Sequence, residues 1–169
     1  MAKTLRLILG DQLNHQHSWF KEKNNEVTYV LMEVMQEQHY VKHHIQKIVG
    51  FFSAMRQFAS ELKNEDHQVI YYYLDAKENQ QSFTQNLNWL IQKLGIEKFE
   101  YQMPDEYRLN LQFKIYTKSI AISSEIFDTE HFYTTREEVK GFFKGKKQYL
   151  MENFYSYMRK KHHILVDNN

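Results

Sequence analysis

Short apolar runs alternate with stretches of helical period along most of this chain, and that alternation leaves few folds open. Thr4 to Leu9, Val27 to Met32, Val69 to Leu74 and Lys98 to Gln102 read as buried strands. Between them, His39 to Lys63 carries Val41, His44 or Ile45, Ile48, Phe51 or Phe52, Met55, Ala59 and Leu62 every three or four positions. That is the spacing of one buried helical stripe, with Ile48, Phe52 and Met55 expected in the core. Ser82 to Leu94 repeats the pattern with Phe83, Leu87, Leu90, Ile91 and Leu94, and Gly95 is its stop. Five such strands linked by helices predict an α/β fold, a mostly parallel doubly wound sheet of order 3-2-1-4-5 with the first strand central.

One segment satisfies two periods. Tyr107, Leu109, Leu111, Phe113 and Ile115 alternate as in a strand, while Leu109, Phe113 and Tyr116 or Thr117 fit a helix, with Asp105 after Pro104 as its N-cap. The βα rhythm upstream favours a helix, with Ser119 to Ser124 as the fifth strand. Residues 1–128 form the expected α/β domain. After Asp128 the character changes, and 129–169 read as a helical extension: a short helix starting at Thr135, then KKQYLMENFYSYMRKKHH after Gly145.

In an open parallel sheet, ligands bind beyond the carboxyl ends of the strands. The order 3-2-1-4-5 brings three polar turns to that edge: Gly10 to Asn14, Glu33 to His44, and Met103 to Tyr107. The middle one gathers Glu33, Glu37, His39, Tyr40, His43 and His44 in front of the long helix. A binding site and a solvated first turn, with glutamates complementing the helix dipole, are both compatible with that density. Gly10-Asp11-Gln12 is not a dinucleotide fingerprint, and no P-loop is present. His39 and His43 have zinc-compatible i,i+4 spacing, but no further ligand is dictated, so a metal site is not expected. Glu33 and Glu37 could form an acid/base pair, yet no nucleophile is spaced beside them. The basic and aromatic residues near the end read more readily as a surface helix than as a phosphate-binding patch, because Glu137, Glu138 and Glu152 dilute the charge.

A formal net charge of +1 gives no global case for nucleic acid. With no Cys, the chain can build no disulfide, thiolate nucleophile or iron–sulfur cluster. The N-terminus lacks a signal-peptide pattern and no run is long enough to span a bilayer, so a soluble, cytoplasmic protein without a membrane partner is expected.

LILGDQLN, EVMQEQHYVKHHIQKIVGFFSAMRQFASEL, DEYR after a strand and GKKQYLMENFYSYMRKK follow one another along the chain. In that order they resemble the N-terminal part of the photolyase-related proteins of bacteria, the prokaryotic (6-4) photolyases and iron–sulfur bacterial cryptochromes. The resemblance implies a Rossmann-like antenna domain holding a small-molecule chromophore, 6,7-dimethyl-8-ribityllumazine. It implicates Gly10, Asp11 and Gln12 from the first turn, Glu33 and Glu37 around the second, and Tyr40, His44 and Phe51 on the helix, with Met35, Tyr40 and Phe51 suited to ring faces. In the family, FAD, the cluster and the DNA lesion site belong to a helical C-terminal half. That half would be this chain's missing partner domain, and DNA would be met only through the full-length parent. No catalysis is expected of these residues alone. The competing expectations are a stand-alone Rossmann-like nucleotide-binding protein or an interaction module.

Overall fold

The computed structural model describes residues 3–36, 41 and 43–166. Five strands form one sheet: β1 (Thr4–Leu7), β2 (Val27–Met32), β3 (Gln68–Tyr72), β4 (Lys98–Gln102) and β5 (Ser123–Phe127). Their order is β3-β2-β1-β4-β5 and every neighbouring pair is parallel. The crossovers run through α1 (Ile45–Asn64), α2 (Phe83–Leu94) and α3 (Tyr107–Ser119). This is the Rossmann-like, doubly wound arrangement that the alternation predicts, with β1 at its centre.

Side-chain alternation along the strands sorts the core into two layers. Leu5, Leu7, Leu9, Val30, Met32, Phe99 and Tyr101 face α2 and α3, where they meet Phe83, Leu87, Leu90, Leu109, Phe113 and Tyr116. Ile8, Val27, Tyr29 and Leu31 face the other way, against Met55, Phe58, Ala59 and Leu62 of α1 and the indole of Trp19. The central strands are therefore covered on both sides, which is why their sequences are nearly continuous apolar runs.

Several boundaries differ from the sequence reading. The first strand ends at Leu7, because Ile8 and Leu9, still buried, lead into a turn closed by Gln12 N–H on Leu9 O. The third ends at Tyr72, where Leu74 N–H leaves the ladder to donate to Glu33. The fifth lies at Ser123–Phe127 rather than Ser119 to Ser124: α3 runs on to Ser119, and Ile120 and Ile122 pack on the core outside the strand. Helix α1 starts at Ile45, with His44 extended and its ring Nδ1 accepting from Gln46 N–H as the N-cap. Its buried stripe is confined to the second half. Met55, Ala59 and Leu62 are core, Ile48 and Phe52 are half-buried, and Ile45 and Phe51, like Val41 before the helix, are exposed. Asp105 does not cap α3; Glu106 occupies that position without a side-chain cap, and Asp105 pairs with His131 at 3.0 Å.

Gly95 ends α2 in the left-handed region (φ 61°), its N–H donating to Ile91 O. A Cβ there would meet nothing within 4 Å, so Gly95→Ala tests backbone strain alone. The expected loss is about 1 kcal/mol, read from urea melts; an unchanged midpoint would contradict the αL assignment.

The chain divides into two compact units, Met1–His131 and Phe132–Asn169. The second is a helical pair, α4 (Arg136–Phe143) and α5 (Met151–Lys161), with Thr135 capping α4 through Glu138 N–H. Phe142, Phe143, Phe154 and Tyr157 form its ring cluster. Glu138 accepts from Thr134, Tyr157 and Lys161, and these donors, Lys161 foremost, pull its carboxyl down to about 2. Among the described residues no helix is long and apolar enough to cross a membrane.

Candidate functional site

Beyond the carboxyl ends of the central strands the chain leaves a cavity of about 220 Å³. Its walls are Leu9, Met32 and Val34 from the strand ends, Ile48, Phe51, Phe52 and Met55 from α1, and Phe83 and Leu109 from the first turns of α2 and α3. Polar groups sit at its rim: Asp11 after β1, Glu106 after β4, and His43 and Lys47 at the front of α1. The three turns that the strand order brings to one edge each contribute to this lining.

Gly10 sets the depth. A Cβ built there would lie 3.0 Å from Met55 Sδ and 3.3 Å from Phe51 Cδ1. A side chain would require those two flexible groups to give by a few tenths of an ångström, so glycine best suits the close approach of the first turn to α1. Asp11 keeps a solvent-exposed edge, yet its carboxyl is raised above the ordinary range. Partial desolvation is the main cause, opposed by its own backbone N–H and reinforced by the carboxylates of Asp105 and Glu106. Glu106 is held by Arg108 through Nε (3.1 Å) and Nη2 (2.9 Å). Lys47 Nζ lies 3.3 Å from His43 Nδ1 and 5.7 Å from the centre of the Phe51 ring.

The other residues singled out in the sequence have different placements. Gln12 is buried and ties the turn together, accepting from Leu9 N–H and donating to Gln102 O. Glu33 is fully buried; it accepts from Arg56 Nε (2.6 Å) and Nη2 (2.9 Å), from Tyr71 OH (2.7 Å) and from Leu74 N–H (2.9 Å). Desolvation alone would raise its carboxyl, but those four donors outweigh it and hold the group below the ordinary range. Met35 is half-buried, its N–H on Gln81 Oε1. His44 is spent on capping α1. Glu37, His39 and Tyr40 lie outside the described residues. Of the nine candidates, Gly10, Asp11 and Phe51 thus line the cavity, while Gln12 and Glu33 brace the turns around it. Among the described residues no three His, Cys, Asp or Glu side chains gather as a metal site would require.

The model of the deoxyribodipyrimidine photo-lyase-related protein family matches residues 6–169. The chain belongs to that family. This photolyase-related chain is also 35% identical over 165 residues to the (6-4) photolyase of Agrobacterium fabrum (strain C58 / ATCC 33970). The match takes in 96% of the chain and 32% of the relative, so the chain spans about a third of that protein's length.

Lys47, Phe52 and Met55 were not among the site residues read from the photolyase-related sequence, although one signal was there. Lys47, Phe51 and Met55 stand at i,i+4 steps along α1, so once Phe51 faces the strand ends the residues one turn before and after it follow. Phe83 and Leu109 carry no such local mark. They arrive from the starts of two other helices, and only the tertiary fold brings them to the cavity.

Proposed function

We propose that this chain binds a flat heteroaromatic chromophore of the ribityllumazine type and serves as the light-harvesting part of a photolyase-related flavoprotein. One observation carries the reading: an apolar-walled slot at the carboxyl ends of β1 and β2 whose polar groups are confined to the rim. Such a slot fits a ring system held by faces and edges, with hydroxyls meeting the rim. Leu9, Met32, Ile48 and Phe52 would hold the ring. Asp11 and Glu106 would accept from hydroxyls, and Lys47 would donate. Gly10 supports the fit, because a side chain there would crowd Met55 and Phe51 of the cavity wall. When bound, the chromophore supplies light absorption and energy transfer. The residues bind it, orient it and keep water from its faces, tasks that need no nucleophile. Repair of DNA lesions, and the flavin it requires, belong in this reading to the longer proteins of the family.

Fluorescence titration of 6,7-dimethyl-8-ribityllumazine tests the proposal. The wild-type chain and Phe51→Ala, which widens the mouth, are expected to bind. Gly10→Leu fills the slot from below and is expected to weaken binding more than about ten-fold, the equivalent of about 1.4 kcal/mol. Circular dichroism checks that this variant remains folded. Binding indifferent to Gly10→Leu would put the ligand elsewhere. Absence of binding by both wild type and Phe51→Ala would overturn the reading.

A further inference from the structure

The cavity wall changes character from floor to mouth. Its floor is made by Leu9, Met32, Val34, Met55, Phe83 and Leu109, each no more than 7% exposed. All of these but Met55 belong to the larger core layer, so the floor is the outer end of that layer. At Leu9 the backbone is engaged as well, its N–H donating to Gln12 Oε1 and its carbonyl accepting from Gln12 N–H. At the mouth the order reverses. Phe51 is 42% exposed, Asp11 is exposed and Glu106 is half-buried. A ligand entering this slot therefore loses water at one end and keeps it at the other. A polar edge pressed onto the floor would give up its hydrogen bonds to water and meet aliphatic, aromatic and thioether side chains in their place.

The dimethyllumazine ring has two unlike edges. One carries methyl groups at C6 and C7, and the opposite one carries an N–H between two carbonyls. We infer that the ring enters methyl edge first, and that the floor around Val34 selects an alkylated edge against an oxygenated one. The inference rests on the chromophore reading above and narrows its ligand class to rings that are apolar at one edge and polar at the other. The two carbonyls and the N–H are left at the mouth, in reach of water and of the rim. The ribityl tail, borne on the flank of the ring, keeps its hydroxyls on the same wet side. Val34 is the residue that isolates the effect. Threonine has nearly its shape and adds one hydroxyl, a donor where the floor has none to offer from its side chains.

Fluorescence titrations compare 6,7-dimethyl-8-ribityllumazine with two analogues altered only at that edge. For 7-methyl-8-ribityllumazine, which lacks the C6 methyl, wild type is expected to bind about four-fold more weakly, the share of one buried methyl. For 6-methyl-7-oxo-8-ribityllumazine, with a carbonyl oxygen in place of the C7 methyl, the expected weakening is more than about ten-fold. In Val34→Thr the new hydroxyl can donate to that oxygen, so the gap between the dimethyl and oxo ligands should narrow to within about three-fold. Equal binding of all three ligands by wild type, or tighter binding of the oxo analogue, would overturn the inference and leave the chromophore reading standing. A gap unchanged in Val34→Thr that circular dichroism shows to be folded would also overturn it, since the edge would be read away from Val34. If that variant does not fold, the wild-type ligand series decides alone. Binding of no lumazine would remove the chromophore reading, and this inference with it.

Discussion

Phe113→Ala is expected to cost about 3–5 kcal/mol of unfolding free energy, whereas Ile115→Ala, two positions on, is expected to cost less than about 0.5 kcal/mol. Phe113 is fully buried, its ring 5.3 Å from that of Tyr101 on β4 and 5.9 Å from that of Phe83 at the start of α2. It joins three elements of the larger core, and little around it can collapse into the space a truncation leaves. Ile115 is 62% exposed, so its removal changes little. The comparison also tests the period of the segment. A strand would put both residues on one face and make the losses similar; a helix separates them, as the burial of Leu109, Phe113 and Tyr116 beside the exposure of Tyr107, Leu111 and Ile115 does here. Urea melts of the two variants, with the slope checked against wild type, give the answer. A loss below about 1 kcal/mol for Phe113→Ala would contradict the packing described.

That segment shows how far local pattern reaches. Residues 107–115 carry both periods, and the choice of helix came from the βα rhythm before them, a fold-level rule rather than anything in the segment itself. The parallel, doubly wound sheet was legible for the same reason: parallel strands need crossovers, and crossovers of this length are helices. Strand ends were less legible, because Ile8 and Leu9 are buried, and Ile120 and Ile122 pack partly buried on the core, outside the strands. Hydrophobicity reports burial, and a strand needs partners as well. The exposed first half of α1 misled for the opposite reason. Ile45 and Phe51 continue the apolar stripe of α1, and Val41 precedes it in the sequence, yet all three are exposed among the described residues. At the site, the place was readable from the three polar turns, while the roles within it were not. Glu33 and Lys47 look alike in sequence as charged residues near the strand ends. One is fully buried among four donors, and the other is exposed on the first half of α1.

Glu33 carries the second large effect. Its carboxylate fastens the end of β2 to Arg56 in α1, to Tyr71 in β3 and to the turn at Leu74, while Asn79 Nδ2 holds its own carbonyl at 2.6 Å. Glu33→Ala leaves the Tyr71 hydroxyl and the Leu74 N–H without that acceptor, for an expected loss of about 3 kcal/mol. The value sits at the low end for a broken buried pair because the Arg56 side chain is 48% exposed and water can solvate it. Glu33→Gln keeps the shape and one acceptor oxygen and should cost roughly half as much. The pH dependence follows from the lowered carboxyl. A group whose folded pKa lies below its unfolded value stabilises fully above the unfolded value, near pH 4.3 for glutamate, and the contribution fades as pH falls through the lower folded value. The stability gap between wild type and Glu33→Gln should therefore be constant from pH 5 to 7 and shrink in more acidic buffer, since glutamine does not titrate. In Arg56→Ala the leading opposing donor is gone, the Glu33 carboxyl rises relative to wild type, and acid destabilisation should begin at higher pH. Thermal melts across this range, read by circular dichroism, decide it. A gap that stays level, or widens, in acid would show that the Glu33 carboxylate is not held by the contacts seen here.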